Sequence, residues 1–416
     1  VVARGEEYFT QMANWWHGFK SGRDVNMERM NGDYRSRAII KVLGVGGGGG
    51  NALNHMIASN LEGVEFIAIN TDAQDLAKSL AHKKVQIGQR LTGGLGTGGD
   101  PNIGKQAAEA DRDAIASALE RVDMVFIAAG MGGGTGTGAS PVIAQIARDM
   151  GALTVAVVTK PFTEEGPLKM KIALEGIQEL KQYVDAVITI PNDRIWQLAD
   201  RRLSLKDAFE MVDEVLRMAV QGISDLIVRP GYINIDFADV RSILSNAGIA
   251  LIGIGSGRGD ERSADAARNA ISSPLLEYSI EGATRALVNI VAPMDMPVSE
   301  LHEMLNIIRE ASGVKELDLR MGLVLDEGMG DEVRVTLIAT GFETEPTKPA
   351  EAVEKVSVRQ PRREGREPVS TPSGVEAPRQ EARQPVRSID EILREVDEGI
   401  DTPTFLRRSH GRSESG

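Results

Sequence analysis

The sequence predicts an α/β protein with a doubly wound parallel sheet, a long central helix, a second α/β domain and a disordered C-terminal tail. Three observations predict it. From Arg37 onward short apolar runs alternate with helical periodicities, the pattern of parallel strands joined by crossover helices. Two of those runs pass without pause into glycine-rich turns, at 44–51 and 130–138, and then into helices. Beyond Gly341 large apolar residues nearly vanish, so the tail cannot bury enough surface to offset its ordering entropy.

The elements follow in order. Residues 1–35 are polar, lack clear periodicity and contain Trp15-Trp16. They read as an N-terminal extension: a disordered arm, a weak membrane-surface helix, or translated upstream sequence, since Met27 and Met30 lie just before the first strand. In the 36–204 domain the strand candidates are 38–45, 64–69, 123–129, 153–158 and 184–190, with helical stretches such as 102–120 and 167–183. A sheet of this kind takes its ligand outside the carboxyl ends of the strands. The 205–231 segment is a helix over about 205–229, with Leu205, Ala208, Phe209, Val212, Leu216 and Ala219 at helical spacing and a stop at Arg229-Pro230-Gly231. Residues 232–342 form the second unit, with strand candidates 249–254, 285–291, 319–325 and 332–340. The stretch 343–387 holds seven prolines, nine basic and eight acidic residues, a linker composition. In 388–416 apolar residues return at Ile389, Ile392, Leu393, Val396 and Ile400, followed by IDTPTFLRR; an apolar island on a tether reads as a docking peptide.

Composition narrows the chemistry. A chain of 416 residues has room for two or three domains. A net charge of −13 argues against a general nucleic-acid binder, which needs a basic face. With no cysteine there is no disulfide, thiolate metal site or cysteine nucleophile. Five scattered histidines without a His-x-x-x-His pair give no zinc signature. No apolar run approaches the roughly 18 residues of a membrane span, and no apolar export signal opens the chain, so a cytoplasmic protein is expected.

The glycine turns carry the chemistry. Glycine lets the backbone approach an anion, while unpaired N–H groups and the helix dipole favour its charge. GVGGGGGN at 44–51 satisfies G-x-G-x-x-G, a dinucleotide fingerprint on its own. That fingerprint expects an acidic residue at the end of the next strand, where FIAIN instead puts Asn70, with Asp72 two residues on. GMGGGTGTG at 130–138 is surplus to a dinucleotide site, and neither turn contains a P-loop lysine. A nucleoside triphosphate gripped from two sides, a dinucleotide, and glycines serving packing alone remain the alternatives. A third cluster, GGLGTGGDP at 93–101, reads by itself as a surface loop. In NIDFADV, Asp236 and Asp239 stand one helical turn apart; they suit a helix cap, or a pair that orients an attacking water. Asp213 lies one turn after Phe209, where it is either part of a solvated face or an acceptor for guanine's two donors above a stacking ring. Asn192 alone reads as a helix cap, and Glu165 and Lys169 as surface charges.

In this order the motifs resemble the FtsZ family, the tubulin-like division GTPases of bacteria and archaea. The resemblance runs from about Arg37 to Gly341 and resumes at 400–408, through GVGGGGGN, NTDA (70–73), GGGTGTG (132–138), ITIPND (188–193), NIDFADV (234–240) and ISSPLLE (271–277). It implies a tubulin/FtsZ-like fold binding GTP or GDP, with Mg²⁺ on the phosphates and no protein metal cage. Gly47, Gly48, Gly49, Gly50 and Asn51 would hold phosphate, as would Gly130, Gly133, Gly134, Thr135, Gly136 and Thr137. Asn70, Thr71, Asp72, Gly98 and Gly99 would complete the cradle. Glu165, Lys169 and Asn192 would reach the ribose or base, and Phe209 and Asp213 the guanine. Lysine stands at 169 where the family often has arginine, which would weaken a bidentate contact. Asn234, Asp236 and Asp239 would serve hydrolysis. The tail, with Asp401, Pro403, Phe405, Leu406 and Arg407, would bind membrane tethers such as FtsA, and the protein would act at the mid-cell division site. A Rossmann oxidoreductase is the alternative from another class; a filament that binds nucleotide without hydrolysis is a third.

Geometry adds one expectation. From Asp213 the helix has sixteen residues to run to Arg229, roughly 24 Å at 1.5 Å per residue. Carboxylates that remote cannot activate water in the same subunit. Stacked head to tail, they would act on the next subunit's nucleotide, in a contact that propagates as a filament.

Overall fold

The computed structural model describes residues 38–194, 204–229 and 231–342. The N-terminal extension, the linker and the terminal peptide expected from the sequence fall outside them. Ten strands form one sheet in the order β3-β2-β1-β4-β5-β6-β7-β10-β8-β9. Its first part comprises β1 (Ile40–Val45), β2 (Glu65–Asn70), β3 (Lys83–Gln86), β4 (Met124–Gly130), β5 (Leu153–Lys160) and β6 (Ala186–Pro191). All neighbours here are parallel, which is the doubly wound arrangement with its reversal between β1 and β4.

Alternation along the strands sorts side chains to two cores. Met124, Phe126 and Ala128 face one, Val125, Ile127 and Ala129 the other, and all six are buried. The first core is completed by α1 (Gly46–Ala58) and the 24-residue α8 (Leu205–Val228). The second is completed by α4 (Pro101–Ala110), α5 (Arg112–Ala118), α6 (Thr135–Asp149) and α7 (Pro167–Leu180). Two short helices, α2 (Ala73–Lys78) and α3 (Gln89–Thr92), lie in the connections on either side of β3.

On α8 the buried Ala208, Val212, Val215, Leu216, Ala219, Ile223 and Leu226 form one apolar stripe. Ser204 caps its start, accepting from Asp207 N. After α8 the chain is pinned to an edge strand: Tyr232 N donates to Leu323 O at 2.7 Å. Then come α9 (Phe237–Leu244), β7 (Gly248–Gly257), α10 (Arg262–Ile271), β8 (Arg285–Ala292), α11 (Val298–Ser312), β9 (Asp318–Leu325) and β10 (Val333–Thr340). Here β10 is antiparallel to β7 and β8, β8 is parallel to β9, and α10 and α11 cover a third core.

Two expectations need correction. The stretch 102–120 is two helices, because Asp111 breaks it at φ −118°, ψ 29° and turns its carboxylate to Gly88 N at 2.6 Å. Strand β3 was not expected: in KKVQ only Val85 is buried, so this edge strand carries almost no apolar signal.

Candidate functional site

At the carboxyl ends of neighbouring strands β1 and β4 two helices begin among glycines. The expected loop at 46–50 is in fact the first turn of α1, and α6 follows directly from Gly134. Neither helix has a side-chain cap, and neither has an acidic residue in its first turn. Side chains cap four other helices, Asp72 on α2, Asp100 on α4, Ser204 on α8 and Asp236 on α9, whereas α3, α5, α7, α10 and α11 are also without one. Open N–H groups at the positive end of a helix dipole suit an anion, and here two such ends share one edge of the sheet.

The turns are fitted to each other. Gly46 is left-handed, at φ 72°, and a Cβ on it would lie 2.9 Å from Gly136 N. Gly49 lies so close to β4 that a Cβ would fall on the Ala128 carbonyl oxygen. Thr71 and Thr135 join hydroxyls at 2.7 Å, and Thr137 Oγ1 accepts from Gly132 N at 2.9 Å.

A cavity of about 220 Å³ opens over these turns. Of the expected residues, Gly48, Asn51, Gly130 and Gly133 line the side formed by the glycine turns, and Glu165, Lys169, Asn192, Phe209 and Asp213 line the rest. Gly47, Gly50 and Asn70 border a smaller adjoining space, and Asn51 borders both. Gly49, Gly134, Thr135, Gly136 and Thr137 sit in the framework behind the wall, outside the lining itself. Thr71 is also in that framework. Asp72 is spent on capping α2, where Oδ1 accepts from Gln74 N and Asp75 N. Gly98 and Gly99 are left-handed in the loop before α4 and do not line the cavity. The lining also includes Thr159, Pro161, Val212 and Leu216, which the motifs did not single out. Thr159 and Pro161 end or follow β5 at the sheet edge where ligands bind, and that position was the available signal. Val212 and Leu216 read only as core residues of α8.

Several walls have unusual electrostatics or packing. Asp213 is half-buried, and its carboxyl is pushed up to about 7, by burial first and by Glu210 as well, against the opposing charge of His55. Phe209 is 43% exposed, and Phe162 meets it edge-on, with centroids 5.4 Å apart. Glu165 accepts from Phe162 N at 2.8 Å and from Lys169 Nζ at 3.1 Å. Asn192 Oδ1 is buried without a hydrogen-bond partner.

Asn234, Asp236 and Asp239 do not border this cavity. Asp236 caps α9 by accepting from Asp239 N at 2.7 Å. Asp239 pairs with Arg320 at 3.0 Å, and Asn234 Oδ1 accepts from Gly231 N at 2.6 Å. Between Asp213 and this turn α8 is unbroken to Val228, about 22 Å of helix.

Fold and site define a tubulin-like GTPase. The GTPase domain of the Tubulin/FtsZ family matches residues 39–200, and the C-terminal domain of the FtsZ family matches 248–343. The cell division protein FtsZ of Buchnera aphidicola is 46% identical over 374 residues, covering 90% of this chain and 97% of its own. Among solved structures, an empty FtsZ dimer from M. jannaschii has a TM-score of 0.69 at 43% identity, covering 73% of this chain and 88% of that one. CetZ2 from Haloferax volcanii, a GTPγS-bound protofilament, is alike in fold alone, with a TM-score of 0.63 at 23% identity over 74% of this chain and 95% of that one. The chain belongs to the FtsZ family. It is a GTPase that binds guanine nucleotide, and nothing supports the oxidoreductase alternative.

Proposed function

We propose that this chain polymerises head to tail into cytoplasmic filaments of the division ring at mid-cell, and that each nucleotide is completed by Asn234, Asp236 and Asp239 of the adjoining subunit. One observation carries the reading: the half-buried Asp213 borders the cavity, while the aspartate pair lies beyond about 22 Å of unbroken helix. A carboxylate must come within hydrogen-bond reach of the attacking water, directly or through one more water. The far end of a stacked subunit meets that need. The M. jannaschii relative recorded as a dimer supports self-association.

The phosphates would lie on the N-termini of α1 and α6, held by backbone N–H groups of Gly47 to Asn51 and Gly133 to Gly136, with Thr137 and Gly49 shaping the turns. Gly98, Gly99, Asn70, Thr71 and Asp72 would close the cradle. The ribose would meet Glu165, Lys169 and Asn192, whose unpartnered Oδ1 suits a hydroxyl donor. Phe209 would stack on guanine while Asp213 accepts from its two donors. Among the described residues no group of three potential ligands could hold a metal ion, and Asp72 and Asp75 are engaged with α2 backbone and Lys78. Mg²⁺ would be held by the phosphates and water rather than by a set of carboxylates, and would supply charge neutralisation to phosphoryl transfer.

The test is turnover against protein concentration, with light scattering alongside. Specific activity should be near zero when dilute and rise above a threshold. A constant specific activity in a chain shown to stay monomeric refutes the shared site. A chain ending at Phe342 should keep GTP binding, hydrolysis and single filaments while losing binding to FtsA-type tethers, because Asp401, Pro403, Phe405, Leu406 and Arg407 belong to the docking peptide. Loss of GTP binding on truncation would show that the tail packs on the core.

A further inference from the structure

His55 stands in the last turn of α1, the helix whose glycine start faces the phosphate side, and its Nε2 lies 2.9 Å from Glu214 Oε2 on α8. Arg217 grips the same carboxylate with two bonds, Nε to Oε2 at 2.7 Å and Nη2 to Oε1 at 2.6 Å, and is itself bonded to Gln221. A chain of side chains thus ties the phosphate helix to the central helix. Glu214 directly follows Asp213, and adjacent residues on an α-helix project about 100° apart. Fixing Glu214 against α1 therefore fixes the rotation of α8, and with it the direction in which Asp213 enters the cavity.

Charge acts in the same sense. Burial opposes ionisation of Asp213, Glu210 adds to that, and the positive charge of His55 works against both. Glu214 next to it is held ionised, by Arg217 first and then by His55. Across the cavity Glu165 and Lys169 are paired with each other.

We propose that His55 is a positioning residue for base selection: through Glu214 it fixes the rotation of the guanine-facing helix, and with it the direction in which Asp213 meets guanine's two N–H donors. The proposal rests on the assignment of Asp213 to the base. His55 itself need not touch the nucleotide.

The experiment measures equilibrium affinity of the full chain for GTP and for inosine triphosphate between pH 6 and 8.5. Inosine lacks the exocyclic amine, so the GTP-to-ITP ratio reads the second contact to the carboxylate. Parent protein, His55→Leu, His55→Gln and Asp213→Asn are compared. In the parent, GTP affinity should climb to a plateau with a midpoint at about 7. His55→Leu should weaken GTP binding at pH 8.5 by roughly tenfold, the loss of about one contact, and narrow the ratio. His55→Gln keeps a donor for Glu214 and should recover both. A His55→Leu chain with the parent's ratio, beside an Asp213→Asn chain that has lost the ratio, overturns the role of His55. Equal loss of both nucleotides also overturns it, as simple loosening of the fold. If Asp213→Asn leaves the ratio untouched, the assignment of Asp213 itself has failed.

Discussion

A chain carrying Asp236→Ala is expected to bind GTP within about twofold of the parent and to hydrolyse it at least roughly a hundredfold more slowly, since positioning of the water supplies much of the rate in such reactions. Binding should survive because, in the proposed arrangement, the altered residue serves another subunit's nucleotide. Filaments should form and persist with the γ-phosphate in place. Asp236 also caps α9, and removing a cap costs about 0.5–2 kcal/mol. Asp236→Asn separates the two effects, because asparagine caps as well as aspartate but is a poor base. It should therefore match the parent in thermal unfolding and Asp236→Ala in slow turnover. A second chain, altered in the 130–138 turn so that it no longer binds nucleotide but still enters filaments, retains intact aspartates. Mixing it with Asp236→Ala should restore part of the turnover. If Asp236→Ala weakened GTP binding as much as hydrolysis, the carboxylate would belong to its own subunit's site.

How much of this was legible before the structure depends on where the physical signal lies. The buried parallel strands declare themselves as apolar runs, and the end of β4 in GMGGGTGTG marks the candidate anion site because glycine there has a backbone reason. The edge strand β3 was illegible: Lys83 and Lys84 are exposed, and pairing with β2 alone makes it a strand. The break at Asp111 was illegible too, since its cause is a tertiary bond to Gly88 N. Gly46 to Gly49 looked like loop because glycine is a poor helix former, yet contact with Ala128 requires it inside a helix. Asp236 does cap a helix, as one of its readings had it, while the pairing of Asp236 and Asp239 on a water belongs to the proposed function. Asp213 is the sharpest case. By pattern it belonged to a solvated helix face, and only burial among distant elements raised its carboxyl.

That burial sets the second large effect. With Asp213 on the base as proposed, Asp213→Ala removes two charge-assisted contacts worth roughly 1.5–3 kcal/mol each, so GTP affinity should fall by about 10² to 10⁴-fold. The parent should show part of this loss through pH alone. Its carboxyl titrates at about 7 and guanine requires the ionised form, so GTP binding drives a proton off. Affinity then falls roughly tenfold per unit below that pH and levels above it. Asp213→Ala should be flat over the same range. Stability runs the other way: a carboxyl raised in the folded state subtracts stability as pH climbs from its unfolded value, near 3.9, to about 7. At pH 8 the variant should therefore unfold at the parent's temperature or above it, which separates lost recognition from lost structure. Direct titration with GTP at pH 8, paired with thermal unfolding, reads both. Unchanged affinity would take Asp213 out of the base site, and a lowered unfolding temperature would return it to a structural role.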